Sequence, residues 1–317
     1  MQAAVTASGL EREFKGGIKA VAGIELDIPQ GEVYGFLGPN GAGKTTTVRM
    51  LVTLLRPTGG HARVAGFDVA TQPAEVRRRI GVALQEAALD LLMTGRELVE
   101  LQAVLHGIAP AAVADRAQEL IERVGLVEAR DRRVGTYSGG MKRRLDLAMA
   151  LVPSPDVLFL DEPTTGLDPA SRMAMWQEIR RLKQEGTTVF LTTQYLEEAD
   201  QLADRVGIID RGVIVAEGTP GQLKAEFGSH HLDVTLSDAD AVDRAREALG
   251  RFGTLRPADQ HCHVSVAVRD GAATIAPVVR ALDEASVHVA RLDLVEPTLD
   301  DVFIAKTGHH LESGDDA

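Results

Sequence analysis

Nine residues, Gly38-Pro-Asn-Gly-Ala-Gly-Lys-Thr-Thr46, constrain this chain more than any other stretch. They fit the pattern G-x-x-x-x-G-K-[ST], and their flanks give that pattern a mechanical setting. The preceding run from Glu32 to Leu37 is apolar enough for a buried strand, and Val48, Leu51, Val52 and Leu55 recur afterwards at helical spacing. The loop therefore joins a strand to a helix. Gly38, Gly41 and Gly43 let the backbone bend so that successive N–H groups point inward, at a helix N-terminus whose partial positive charge favours an anion. In such a loop Lys44 reaches the β- and γ-phosphates of a nucleotide and the Thr45 hydroxyl can ligate Mg²⁺. The phosphate-binding set is then Gly38, Pro39, Asn40, Gly41, Ala42, Gly43, Lys44, Thr45 and Thr46. A glycine-rich turn without ligand is the plainer alternative; strand, helix and Lys-Thr together speak against it.

A chain of 317 residues has room for one large domain and a smaller one. Hydrophobic residues at 44% and charged residues at 25% match a soluble globular protein. No run approaches the roughly 18 consecutive apolar residues that cross a bilayer. The start MQAAVTASGLEREFK lacks the charged beginning and apolar core of a signal peptide, so the chain is expected to stay where it is made. Cys262 is the single cysteine, which excludes an intramolecular disulfide and suits a reducing compartment. The formal charge of −12, from 34 basic and 46 acidic residues, argues against a broad nucleic-acid footprint.

Taken in order, Ala3 to Ser8, Glu11 to Phe14 and Ile18 to Ile28 read as short strands with the turn Lys15-Gly16-Gly17 between them, an antiparallel edge. Phe14 reads equally as core or as an aromatic that stacks on a purine. His61 to Val64 and Arg79 to Leu84 read as further strands. Gln85 follows the second, where its carbonyl oxygen can hold Mg²⁺ or water, although a surface glutamine is the plainer reading. Helical periodicity then runs from Gly95 to Val134 and marks a separate lobe. Tyr137-Ser-Gly-Gly-Met141 opens another helix, and Ser138, Gly139 and Gly140 offer a hydroxyl and bare N–H groups to a second anion. One chain seldom needs two γ-phosphate sites, so the second implies a dimer with nucleotide in its interface.

Val157 to Asp161 is an apolar strand ending in Asp161 and Glu162. Asp161 would hold Mg²⁺ and Glu162 would take a proton from attacking water; the alternative is a pair that caps a turn. Gly166-Leu-Asp168-Pro169 leads into a helix from Ala170 to Lys183, and Gln194 stands just past a strand from Thr187 to Thr192. Strands at Arg205 to Ile209 and Val213 to Ala216 flank a turn, and the α/β pattern finishes near Phe227. From Gly228 the texture changes to strand, helix, strand, helix, strand and a last helix at Pro297 to Lys306, a split β-α-β arrangement. Three regions result: 1–227 with a helical lobe at about 86–153, a small α+β domain at 228–306, and an acidic tail at 307–317 expected to be disordered.

Assembled, these motifs resemble the nucleotide-binding subunit of an ATP-binding cassette (ABC) transporter over about Ala3 to Phe227, because GPNGAGKTT, YSGGM, VLFLDE, GLD and TTQYLEEAD stand in the family's order. The resemblance implies a P-loop NTPase α/β fold with a helical subdomain and an antiparallel β edge. It also implies ATP and Mg²⁺ as cofactors, and a homodimer with two ATP molecules between P-loop and signature. Carried over by position, Phe14 stacks on adenine, Gln85 joins Thr45 and Asp161 around Mg²⁺, Ser138 to Gly140 are the signature, and Asp168 communicates across the dimer. Lys44, Glu162 and Gln194 form the catalytic set. The family's switch position normally holds histidine; Gln194 can orient water there but cannot carry a proton. Met141 also departs from the usual glutamine. YSGGM with TTQYLEEAD, and the ending PTLDDVFIAKTG, resemble the ATPases of daunorubicin-type drug exporters. That implies a peripheral subunit on the cytoplasmic face of the cell membrane, paired with a separate permease that binds the transported molecule itself. A nucleotide-gated subunit with little turnover is the alternative prompted by Gln194. A soluble DNA-repair or translation member would instead show tandem cassettes or a basic surface. Leu89, Leu91, Leu92 and Met93 read either as core or as the patch that receives the permease. Plainer readings make His230-His231 and His309-His310 solvated, Lys142-Arg143-Arg144 an exposed helix face rather than a phosphate clamp, and His261 and His263, on one strand face with Cys262 on the other, ordinary strand residues rather than a metal site.

Overall fold

A computed structural model describes residues 3–84, 89–227, 230–255, 262–268 and 271–308. The chain divides into two compact units, one running to Pro220 and resumed at Lys306, the other Gly221–Ala305. The helix that ends the α/β pattern in sequence goes with the second unit.

In the first unit, β1 (Ala3–Phe14) and β2 (Ile18–Pro29) form a long hairpin that turns on Gly16 and Gly17, both at positive φ. Its alternating apolar residues, among them Val5, Leu10, Ile24 and Ile28, are buried on one face. β3 (Val33–Leu37) is buried at every position, as a strand covered on both sides requires, and leads into α1 (Lys44–Leu51). β4 (Gly59–Val64) and β5 (Phe67–Asp68) return to the hairpin, so the strand expected at His61 belongs to a four-stranded antiparallel sheet in the order β2-β1-β4-β5. A short helix, α2 (Pro73–Arg79), precedes β6 (Ile80–Ala83).

The helical lobe begins with α3 (Gly95–Leu105), whose start is fixed by a capping box between Thr94 and Glu97. α4 (Pro110–Arg123) starts on a proline, where its missing N–H costs nothing, and α5 (Gly139–Ala150) starts on the cap Ser138. The chain continues through β7 (Val157–Asp161), α6 (Pro169–Gln184), β8 (Thr188–Thr193), α7 (Leu196–Leu202), β9 (Arg205–Asp210) and β10 (Val213–Gly218). The second sheet has the order β10-β9-β3-β8-β7-β6; all its neighbours run parallel except β10, which is antiparallel to β9. Tyr34, Phe36, Phe159 and Phe190 pack along it with ring centroids 5.4 to 6.4 Å apart. This order sets the carboxyl ends of β3, β8 and β7 side by side, the edge at which open α/β sheets bind ligands. Close approach matters at Gly81, where a Cβ would lie 2.2 Å from the carbonyl oxygen of Ala150; glycine there lets α5 lie directly against β6.

The second unit comprises α8 (Pro220–Phe227), β11 (His231–Leu236), α9 (Val242–Leu249), β12 (Thr254–Leu255), β13 (His263–Ala267), α10 (Ile275–Glu284), β14 (Val289–Val295) and most of α11 (Leu299–Thr307). Its sheet is antiparallel in the order β12-β13-β11-β14, a β-α-β-β-α-β split arrangement in which β12 is a strand the sequence pattern did not announce. Leu232, Val234 and Leu236 alternate into a core shared with Ala245 and Leu249 of α9 and Val278 and Leu282 of α10. His231 is not solvated as its sequence setting implied: it is half-buried, and its Nε2 lies 3.8 Å from Asp233 Oδ2, as His263 Nε2 does at 3.9 Å. Cys262 is half-buried; Thr307, expected in the disordered tail, ends α11 instead, while His261 and residues 309–317 lie outside the described residues.

Candidate functional site

The glycine loop between β3 and α1 is held by contacts that admit no side chain. A Cβ on Gly38 would sit 2.3 Å from the Ile209 carbonyl oxygen, and one on Gly43, at φ 109°, 2.4 Å from that of Ala20. The Gly38 N–H donates to the Thr193 carbonyl at 3.4 Å, which ties the loop to the end of β8 and brings Gln194, half-buried, beside it. Tyr195 N–H donates to Thr193 Oγ1 at 2.9 Å and braces the turn that carries Gln194.

Lys44 opens α1 and is 4% exposed. Its Nζ donates to the carbonyls of Gly38 at 2.7 Å and Pro39 at 3.1 Å, and lies 3.2 Å from Glu162 Oε1. Burial pulls the ammonium below its ordinary pKa, and the Glu162 carboxylate opposes that shift. Next to it, Thr45 Oγ1 donates to Asp161 Oδ1 at 3.4 Å, and Thr192 Oγ1 donates to the same oxygen. Asp161 Oδ2 is buried with no hydrogen-bond partner among the described residues. A buried carboxylate oxygen aimed beside a threonine hydroxyl fits a hard, oxygen-seeking cation such as Mg²⁺. Gln85, expected as a further ligand, lies outside the described residues.

Glu162 is buried and sits at φ 50°, a left-handed conformation that costs a non-glycine residue about 1–3 kcal/mol. Its N–H donates to the Thr192 carbonyl at 3.1 Å and to Thr192 Oγ1 at 3.2 Å, and its carbonyl accepts from Thr165 N–H at 3.3 Å. Arg143, expected on an exposed helix face, is instead buried: Nη2 donates to the Glu162 carbonyl at 2.9 Å and Nη1 to the Leu84 carbonyl at 2.6 Å. Its neighbour Arg144 donates to the carbonyls of Val124 and Gly125 at the end of α4.

A second cluster forms around the start of α5. Ser138 Oγ accepts from Met141 N–H at 3.2 Å. A Cβ on Gly140 would lie 2.6 Å from Ser171 Oγ, and Ser171 donates that hydroxyl to Asp168 Oδ1 at 2.6 Å and its N–H to Oδ2 at 3.0 Å. These bonds hold the Asp168 carboxyl below the usual carboxylate range. Gly139 is open, with nothing among the described residues within 4 Å of an added Cβ. Phe14 stands apart, 38% exposed at the hairpin tip, with the Arg12 guanidinium 4.7 Å from its ring centroid, which sets the core reading aside. Leu91 and Leu92 are likewise exposed, while Leu89 and Met93 pack against the core.

Sequence reasoning passed over Glu198. It is buried on α7, accepts from Thr164 Oγ1 at 2.8 Å and Trp176 Nε1 at 3.1 Å, and burial raises its pKa against those bonds and one from Thr193. It follows Glu197 in the acidic first turn of α7, a setting that in sequence reads as a solvated carboxylate and gives no signal of burial.

The chain as a whole is similar to known proteins. Residues 21–165 match the family described as ABC transporter, and residues 218–307 match the family described as ATP-binding protein DrrA1-3-like, C-terminal domain. The chain is 48% identical over 307 residues to the daunorubicin/doxorubicin resistance ATP-binding protein DrrA of Streptomyces peucetius, covering 96% of this chain and 93% of the relative. It is 44% identical to the doxorubicin resistance ATP-binding protein DrrA of Mycobacterium tuberculosis, covering 98% and 95%. Among solved structures it is similar to the dimeric post-hydrolysis state of the ATP-binding cassette MJ0796 bound to ADP and Pi. There the TM-score is 0.64 and the identity 25%, over 68% of this chain and 98% of the other.

Proposed function

We propose, from the premise that this chain belongs to the ABC transporter ATP-binding proteins, that it powers export of a hydrophobic small molecule through a separate membrane subunit. The observation that carries the reading is the meeting of Lys44 with Glu162 at 3.2 Å and Thr45 with Asp161 at 3.4 Å, at the ends of adjoining strands. Lys44, released from its carbonyls and from Glu162, meets the charge on the β- and γ-phosphates. Thr45 and Asp161, with Gln85, would hold Mg²⁺, which supplies charge neutralisation across the phosphate oxygens. Glu162 accepts a proton from the water whose oxygen attacks the γ-phosphorus, while ADP leaves on the far side. Gln194, beside Gly38, orients that water or donates to the γ-phosphate; it moves no proton.

Phe14 stacks on adenine, and the Ser138–Gly140 segment of a second copy closes over the triphosphate, with Asp168 at the seam. The dimeric state of MJ0796 supports that arrangement. Among the described residues no helix is long and apolar enough to cross a membrane. A permease encoded separately, met at the exposed Leu91 and Leu92, places the subunit on the cytoplasmic face of the membrane. The names of the two resistance proteins support drug export as the work done, with the drug bound by the permease. The alternative of a gated subunit with little turnover finds no support in them.

Phosphate release by Glu162→Gln tests the reading. Binding of ATP should persist while turnover falls about 10²–10⁴-fold; turnover at the wild-type rate would remove Glu162 as the base.

A further inference from the structure

We infer that Arg143 is a positioning residue for ATP hydrolysis, holding the backbone of Glu162 in its left-handed conformation and tying it to the signature helix and to the strand end before Gln85. The inference rests on the reading of Glu162 as the base. Three segments meet in one side chain. Arg143 lies on α5, one turn after the signature; Nη2 reaches the Glu162 carbonyl at 2.9 Å and Nη1 the Leu84 carbonyl at 2.6 Å. A guanidinium can serve two divergent carbonyls at once because its donors are fixed in a planar fork, which neither lysine nor glutamine reproduces.

Geometry gives the fork its leverage. Glu162 has φ 50°, and its carbonyl, just past the end of β7, meets Arg143 of α5. The bond from Arg143 is charge-assisted and buried, the kind that is strong enough to offset a strained backbone. Asp146, one turn further along α5, lies 3.8 Å from Nη1 and supplies the counter-charge, so the guanidinium is not stranded in a dry interior. Gly81 lets α5 press against β6, which sets the fork's reach. A shift of α5 as nucleotide enters or leaves is thereby transmitted to the carboxylate through one covalent arm, without any contact between Arg143 and substrate.

The test compares Arg143→Gln, Arg143→Lys and the pair Arg143→Gln with Asp146→Asn, the last removing both buried charges so that a fold defect from one orphaned ion is avoided. Each is measured for melting temperature, for the dissociation constant of Mg·ATP, and for kcat, alone and with Glu162→Gln. The expected result is kcat reduced about 10- to 100-fold in all three, within the range of a general base put out of position. Binding should be unchanged, and no further loss should appear when Glu162 is already glutamine. Wild-type kcat in any folded variant overturns the inference, as does an equal additional loss in the Glu162→Gln background or a loss confined to KM. If Glu162→Gln itself turns over normally, the base assignment fails first; if it is inactive while Arg143→Gln is not, only the role of Arg143 fails.

Discussion

The two units bury cores of different size and very different side chains: the first has two large apolar clusters, the second one small one. Of the polar or charged residues that are buried among the described residues, Ser265 is the one in the second unit; Lys44, Arg143, Asp146, Asp161, Glu162, Thr192 and Glu198 are among those in the first. Burying a charge costs several kcal/mol unless it is paired. The first unit accepts that cost at the ends of β3, β7 and β8, where Lys44 is set against Glu162 and Arg143 against backbone carbonyls. The second unit keeps His231, His263 and Asp233 half-exposed on one sheet face and fills the other with valine and leucine. On this ground the chemistry belongs to the first unit.

The sharpest way to break that contrast is at the base. Glu162→Gln should abolish most turnover, about 10²–10⁴-fold, with nucleotide still bound. Lys44→Ala should weaken ATP binding itself about 10- to 100-fold, the loss of a bond between charged partners, read by equilibrium titration. A core change in the second unit should do neither: Leu232→Ala should cost that unit about 2–5 kcal/mol in a denaturant melt while leaving Mg·ATP affinity at the wild-type value. A matching loss of affinity would dissolve the division of labour. The smallest effect concerns Asp146, whose carboxyl burial pushes from 3.8 up to about 6 despite Arg143 beside it. A raised pKa means its favourable contribution is present below the ordinary value and lost as pH rises through the folded one. The wild type should therefore lose up to about 3 kcal/mol relative to Asp146→Asn as pH rises through that window, on top of the constant cost of taking the counter-charge from Arg143. A pH-independent difference would contradict the buried assignment.

Much of the first unit was legible because its motifs are local. GPNGAGKTT carries its own strand, turn and helix, and Val157 to Asp161 is apolar without interruption, so both stand where spacing put them. The second unit's alternation at Leu232, Val234 and Leu236 was equally plain. Arg143 and Glu198 were not, because a charged residue's burial depends on carbonyls and hydroxyls far away in sequence: Leu84 and Glu162 for one, Thr164 and Trp176 for the other. The helices α2 and α7 escaped notice since, at seven residues each, they offer too few turns for a period to register. β12 is two residues long and is defined by its partner β13 rather than by its own pattern.

Two copies gripping triphosphate between Lys44 of one and Ser138 of the other is the claim on which the rest depends. Sedimentation of the Glu162→Gln protein with and without Mg·ATP tests it most directly. The account predicts a monomer without nucleotide and a dimer holding two ATP molecules with it, abolished by Ser138→Arg. A protein that stays monomeric with Mg·ATP at every concentration, alone and with its membrane subunit, would contradict it.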